Sequence, residues 1–359
     1  MLVLGGAVAC GQEPEVLDAD GDGFVATDDC NDGDDKIHPD AEEIPYDGLN
    51  NDCDPKTPDD DLDRDGHLHL DDCDDNDPDA YRIVPWPGDV DTTNIDGFCD
   101  TFCRRDILGD LDLIDSGLTA VPDLSCVWEV AGALTLRSNA SLTDLSGLSG
   151  LTSVGGNVRI VANASLTDLS GLTGLASIGG ELELLENEAL VDLSGLEQLS
   201  AVAADLNISH NDELINLSGL DNLSSVGGFV NIVENPKLED LLGLSGLTSL
   251  GEDLYLWFNA RLTSLSGLSG LTSIDGLLYI QQNPALTSLD GLDGLTSIGG
   301  DLGILENADL TDVTALYGLQ LVGNNLSIVG NVSLTDAAAA ALVAEIDVIG
   351  GIVEVSGNE

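Results

Sequence analysis

The chain has 359 residues, 43% of them hydrophobic but only 4% aromatic, and 66 acidic residues stand against 10 basic ones for a formal net charge of −56. That length allows two or more domains built on Leu, Ile and Val, while the charge repels nucleic acid and anionic lipid and resists compaction unless cations neutralise it. No segment is apolar over the length that a membrane span requires.

Met1 to Ala9 (MLVLGGAVA) is a short apolar run ending in small residues directly before Cys10. It resembles the end of a bacterial lipoprotein signal, with Ala7-Val8-Ala9-Cys10 as the lipobox. The missing basic n-region and shortened apolar segment place the true start upstream of Met1. The resemblance implies lipidation at Cys10, a tether over 10–17, export, and an outer-membrane or cell-surface lipoprotein of bacterial type, with the lipid as the sole membrane contact. Seven cysteines, none in a C-x-x-C pair, agree with an oxidising compartment.

From 18 to 105 the sequence loses all periodicity, and Asp, Gly, Asn and Pro dominate. Two local spacings set this module apart from a disordered linker. Asp18, Asp20, Asp22, Phe24 (through its carbonyl) and Asp29 occupy positions 1, 3, 5, 7 and 12 of a loop with Gly23 at position 6. Asp61, Asp63, Asp65, His67 and Asp72 repeat the register with Gly66 at position 6. Alternate carboxylates in this register converge on one cation, and the glycine permits the sharp turn. Position 12 is Asp where an EF-hand has Glu, and no amphipathic helices flank either loop, so a paired EF-hand domain is not expected.

Helix-less loops of this kind resemble those of dockerins and thrombospondin type 3 repeats. The run D-x-D-G-D-G-F-x-x-x-D-D-C-N-D, closing with Tyr46-Asp47-Gly48-Leu49-Asn50-Asn51-Asp52-Cys53, resembles the MopE-like metal-binding motif. Asp54-Pro55 departs from that family's D-C-D-G ending, and the second copy degenerates after Asp71 to Pro78 into Asp96-Gly97-Phe98-Cys99. Oxygen donors of this type are hard ligands, which points to Ca2+, with copper or another divalent metal as the alternative. His67 and His69 either form a weak transition-metal site or leave only the His67 carbonyl as a donor. With Cys10 lipidated, six cysteines remain for three bridges and allow fifteen connectivities. The most local one pairs Cys30 with Cys53, Cys73 with Cys99, and Cys103 with Cys126.

Residues 106–126 read as an N-terminal cap, a degenerate rung over Ile107 to Ser125 that covers an otherwise open apolar end. Nine 24-residue repeats then fill 127–342. Their common pattern is L-x-x-V/I/L-G-G-x-L/V-x-I/L-x-x-N-x-x-L-T-x-L-x-G-L-x-G, as in Leu151 to Gly174 (LTSVGGNVRIVANASLTDLSGLTG). A unit this short cannot enclose its own apolar side chains, so neighbours must stack and bury a continuous column. Apolar residues at repeat positions 8 and 10, for example Val158 and Ile160, alternate with variable ones as a half-buried strand requires. An Asn follows three residues later in each rung, from Asn139 to Asn331, and is suited to satisfying backbone groups where the chain turns inward. Residues 343–359 form a C-terminal cap, with a helix expected over 337–348 and a last strand over Gly350 to Val355.

These residues resemble the leucine-rich-repeat superfamily, closest in spacing to the receptor L-domain type. The resemblance implies a mainly β, right-handed parallel β-solenoid of 24-residue rungs, preceded by a loop-rich module stabilised by metal and disulfides, and a use in binding. Positions 7, 9, 11 and 12 of each rung face outward beside the buried pair. Most rungs offer small or acidic residues there, such as Glu181, Glu183, Asp205, Asn207 and Asp301. Three consecutive rungs instead present Phe229, then Tyr255, Trp257 and Phe258, then Tyr279 with Gln281 and Gln282. Aromatic planes beside amides suit a sugar face or an apolar protein anchor; the alternative turns Trp257 or Phe258 inward to fill a gap.

No H-E-x-x-H, G-x-S-x-G or phosphate-loop motif occurs, and the four histidines lack consistent partners. A non-catalytic protein is therefore expected, a cell-surface lipoprotein that binds calcium and recognises a protein or polysaccharide, as in adhesion. A metal-sequestering protein with the solenoid as mere scaffold and an enzyme acting on surface polysaccharide remain the alternatives.

Overall fold

The computed structural model describes residues 18–25, 27–31, 33–41, 49–54, 85–99 and 104–359. The chain divides into two compact units, one of Met1–Ile83 with Thr101–Cys103, the other of Val84–Asp100 with Arg104–Glu359.

The larger unit is a parallel β-solenoid. Four-residue strands at repeat positions 8 to 11, such as Val158–Val161, Leu182–Leu185 and Leu206–Ser209, pair in register with the equivalent residues of the next rung, Leu206 with Val230 and Ile208 with Ile232. Together they make a single 12-stranded parallel sheet. Two-residue strands at positions 3 and 4, such as Ser153–Val154, build two shorter parallel sheets of six and four strands. Between the sheets the chain passes through short 3-10 turns, Ser146–Leu148 and Ser170–Leu172 among them, formed by the recurring Leu-Ser-Gly-Leu.

The core is the column that the repeat pattern predicts. Leu134, Leu136, Val158, Ile160, Leu182 and Leu184 are fully buried, as are the turn leucines Leu166, Leu169, Leu172 and Leu175. Each such side chain contributes about 2 kcal/mol of transfer free energy, and none could be covered within one rung. Gly195 shows the space limit of the turn: its φ is +114° and any Cβ there would overlap the carbonyl oxygen of Leu169 one rung earlier.

The expected boundary between module and cap is displaced. Val90–Asp91 is already a strand of the long sheet, pairing with Leu111 and Asp112, so residues 85–99 belong to the solenoid unit and Ile107 to Ser125 is its second rung. These first rungs are shorter than 24 residues. The Asp110 to Asp89 bond spans 21 residues and the Ser116 to Asn139 bond spans 23, which hides them from a search at fixed period.

At the far end the helix runs over Asp336–Glu345, three residues short of the expected end, capped by the Thr335 side chain accepting from Ala338 N–H. Val348–Ile349 then joins the four-stranded sheet and Val353–Ser356 closes the long one.

The disulfides confirm one expected pair and correct two. Cys30 bonds to Cys53 as expected, whereas Cys99 bonds to Cys126, with 5.5 Å between their Cα atoms. That bond rules out both Cys73–Cys99 and Cys103–Cys126. The reason is the extra rung: Cys99 ends it, beside the turn that carries Cys126 in the following rung, and it ties the first rungs together. Cys10, Cys73 and Cys103 lie outside the described residues.

Candidate functional site

Two clusters merit a functional reading, one in each unit. In the smaller unit, Asp18, Asp20 and Asp22 bring carboxylate oxygens within 4.8 Å of one another. The loop folds around its own side chains. Asp18 Oδ1 accepts from Gly21 N–H at 2.7 Å and Oδ2 from Gly23 N–H at 3.1 Å, and Asp22 Oδ1 accepts from Phe24 N–H at 2.8 Å. Gly21 and Gly23, at φ +88° and +103°, allow these amides to turn inward.

What remains unsatisfied is specific. Asp20 Oδ2, Asp22 Oδ2 and Asp29 Oδ2 are buried and accept no hydrogen bond, although Asp29 Oδ1 takes Asn31 N–H at 2.8 Å and the residue is only 8% exposed. Three buried carboxylate oxygens without a donor are costly unless a cation takes them. Burial pushes the Asp20 carboxyl above its usual range, and the neighbouring charges of Asp22, Asp29 and Asp18 push the same way, against a lowering by the Asp22 backbone bond. The donor set is hard oxygen and fits Ca2+. Cys30 and Cys53, beside Asp29, are spent in a disulfide and supply no thiolate.

Two features of this loop escape the motif. Phe24 stacks on His38 with ring centroids 5.1 Å apart, and His38 N–H donates to the Asn51 carbonyl, so the loop is fastened to the chain around its disulfide. Asn50 adds a further buried oxygen, Oδ1, without a partner. The second expected loop, Asp61, Asp63, Asp65, His67 and Asp72, lies outside the described residues, as does His69.

The second cluster stands on the long sheet. Tyr255 and Tyr279 are cross-strand partners whose rings lie 6.5 Å apart and nearly parallel. Trp257 meets both edge-on, at 5.1 and 6.2 Å, and Phe229 meets Tyr255 edge-on at 6.5 Å. None of these residues turns into the core. Trp257 is half-buried among the rings with its Nε1 sealed and unpartnered, and Phe258 is 42% exposed. Phe258 is lifted out by its backbone, which has φ +57°, the left-handed value shared by the residue before the ladder Asn in neighbouring rungs, including Glu234 and Gln282.

Asp253 accepts the Tyr255 hydroxyl at 2.9 Å, and burial, followed by that carboxylate, raises the phenol to about 12. Tyr279 is raised too, by burial and then by Asp301. Gln281 pairs in register with Trp257, and Gln282 hydrogen-bonds Glu306. Beyond the patch the strip is amide, with Asn231 Nδ2 donating to Asn207 Oδ1 at 2.9 Å.

Repeat position 7 does not serve the ligand strip in the way its exposure in sequence suggests. Asn157, Asp205, Asp253 and Asp301 each use Oδ1 to accept the backbone N–H of position 7 in the next rung, at Glu181, Phe229, Leu277 and Asn325. They form a second structural ladder running on alternate rungs from Asn157 to Asp301. Its sequence signal is the partnering glycine: at Gly180, Gly228 and Gly276 a Cβ would overlap the oxygen in question.

No protein-family model matches the chain, and no curated protein matches it. Among solved structures, a leucine-rich-repeat protein of Leptospira interrogans is similar at 13% identity, over 67% of this chain and 94% of that one, with a TM-score of 0.14. That degree of likeness carries no functional argument, and the fold rests on the stacked strands themselves.

Proposed function

We propose that this is a non-catalytic recognition protein of the cell surface, which binds calcium through its Asp-rich loop and a protein or polysaccharide ligand through the aromatic strip of its solenoid. The observation that carries the reading is the patch itself: Tyr255, Trp257 and Tyr279 on two adjacent strands and Phe229, just before the next strand, form one ring cluster in a chain with 4% aromatics. Clustered rings on a rigid sheet bring contact area at little entropic cost, which is how binding hot spots are built.

Calcium is supported by the three buried oxygens of Asp20, Asp22 and Asp29. The ion would be held by these carboxylates with Asp18 and the Phe24 carbonyl, and it would neutralise a loop whose own charges oppose closure. Export and a lipid anchor at Cys10 agree with the two disulfides. The reading is non-catalytic because the sequence carries no H-E-x-x-H, G-x-S-x-G or phosphate-loop motif.

The test replaces Tyr255, Trp257 and Tyr279 together with Ala in the full chain and compares glycan-array and cell-adhesion signals with the parent. Loss of signal with an unchanged circular-dichroism spectrum is expected; unchanged signals on both assays would overturn the assignment of the patch.

A further inference from the structure

A cavity of about 400 Å3 opens on the same 12-stranded sheet, several rungs from the aromatic patch toward the N-terminal end. Its volume falls within the usual range for a small-ligand pocket. Ile114, Val161 and Leu185 supply its apolar lining, and Arg137, Arg159 and Glu183 supply its charge. Ile114, Arg137, Val161 and Leu185 are register partners on four consecutive strands, so the lining is set by the ladder and not by loops.

The charges are arranged unequally. Arg159 is shared between two carboxylates, Glu181 at 3.6 Å and Glu183 at 3.5 Å. One guanidinium between two acids leaves a surplus negative charge on that wall. Burial pushes Glu181 upward, and the charge of Glu183 adds to that push, as expected of two acids sharing one cation. Arg137, by contrast, has no ion-pair partner among the described residues. In a chain with 10 basic and 66 acidic residues, two arginines on one cavity, one of them unpaired, are a concentration of scarce charge. Arg137 and Glu183 stand two strands and two residues apart, roughly 12 Å between Cα atoms from ideal sheet spacings, which is the scale of a short peptide.

We infer that this cavity binds a small zwitterion with an apolar body, its carboxylate on Arg137, its ammonium on the Glu183 wall, and its apolar part on Ile114, Val161 and Leu185. A simple anion would meet the surplus carboxylate, and a simple cation would meet Arg137; only a ligand carrying both charges answers both walls. Free apolar amino acids and short apolar peptides share this chemistry. The site is separate from the aromatic strip, and the inference does not depend on the reading of that strip.

Calorimetric titration of the full chain with leucine, Leu-Leu, N-acetyl-Leu-Leu and Leu-Leu-amide tests it. At least one of leucine and Leu-Leu is expected to bind, with the tighter of the two identifying the source, and each capped dipeptide is expected to bind at least about tenfold more weakly than Leu-Leu, because each leaves one wall unpaired. Arg137→Gln should erase the preference for a free carboxylate and Glu183→Gln the preference for a free ammonium, each with the parent's melting temperature. Capped and free dipeptides of equal affinity, or no binding of leucine or Leu-Leu up to about 10 mM, a limit corresponding to under 3 kcal/mol, would overturn the inference.

Discussion

The backbone N–H of Asn187 donates to Oδ1 of Asn211 at 3.1 Å, one rung away, while Nδ2 of Asn211 reaches back to the carbonyl of Leu184 at 3.0 Å. Each ladder asparagine therefore satisfies a donor in the rung before it and an acceptor in that same rung's strand, at zero exposure. The amide carries its acceptor and its donor on separate atoms, Oδ1 and Nδ2, so one side chain makes both bonds at once. Replacing Asn211 with Asp keeps the acceptor and removes the donor, so the Leu184 carbonyl loses that bond and meets a buried charge in its place. We expect Asn211→Asp to cost at least as much as Asn211→Ala, each about 2 to 3 kcal/mol in urea unfolding, with Asn211→Ser partly restored.

The position 7 ladder predicts a coupling that no single contact would show. Gly228→Ala should destabilise by about 1 to 3 kcal/mol, because its Cβ overlaps Asp205 Oδ1. Asp205→Ala loses the acceptor for Phe229 N–H. In the double variant the overlap is gone, so the two losses should not add, and a double-mutant cycle should return an interaction energy of about 1 kcal/mol or more. Simple additivity would contradict the ladder.

The Cys99–Cys126 bond closes a segment with a sequence separation of 27 across the first rungs. Its removal by paired Ser substitution is expected to lower stability by about 3 kcal/mol. Hydrogen exchange should rise first at Val90 and Leu111, at the edge of the sheet, before the rungs from Leu151 onward are affected.

Acid sensitivity has a definite sign in the turns. The Asp168 carboxyl is held below its usual range by the Ser170 hydroxyl and the Ser170 N–H, the latter at 3.0 Å, and Asp312 is held low by Thr314 in the same way. A carboxylate lowered on folding stabilises fully above its unfolded value of about 3.9, and that stability is lost as pH falls through the folded value. Asp168→Asn should thus be less stable than the parent at pH 7 and should converge with it as pH falls through the folded value. Asp20 runs the other way: its raised carboxyl means that the ion-free loop gains stability as pH falls through that value. Denaturation in chelator, read separately for each unit, distinguishes the two.

Much of the solenoid is legible in sequence because its period is rigid. Val158, Ile160 and Asn163 have the same roles as Leu182, Leu184 and Asn187, and a fixed hydrogen-bond register permits no slippage. Legibility ends where the period does. Asn358 extends the ladder by accepting from Asn331 N–H, yet it lies 27 residues on, beyond the inserted helix. The strand at Val90 was hidden among acidic residues, and with it the partner of Cys99. Asp205 and Asp253 at position 7 look like ligand-facing acids until the glycines opposite them, Gly228 and Gly276, are considered. For the loop, spacing alone identifies Asp18, Asp20, Asp22 and Asp29, but not Asn50 or the His38 stack, which depend on how the chain returns through the disulfide.

The central claim is that the open oxygens of Asp20, Asp22 and Asp29 close on calcium while the solenoid stands without it. Hydrogen exchange of the full chain, measured in calcium and then in EDTA, tests this most directly. Calcium is expected to raise protection over 18–54 and to leave the rungs from Leu134 to Val329 unchanged; equal exchange over 18–54 in both buffers would contradict the account.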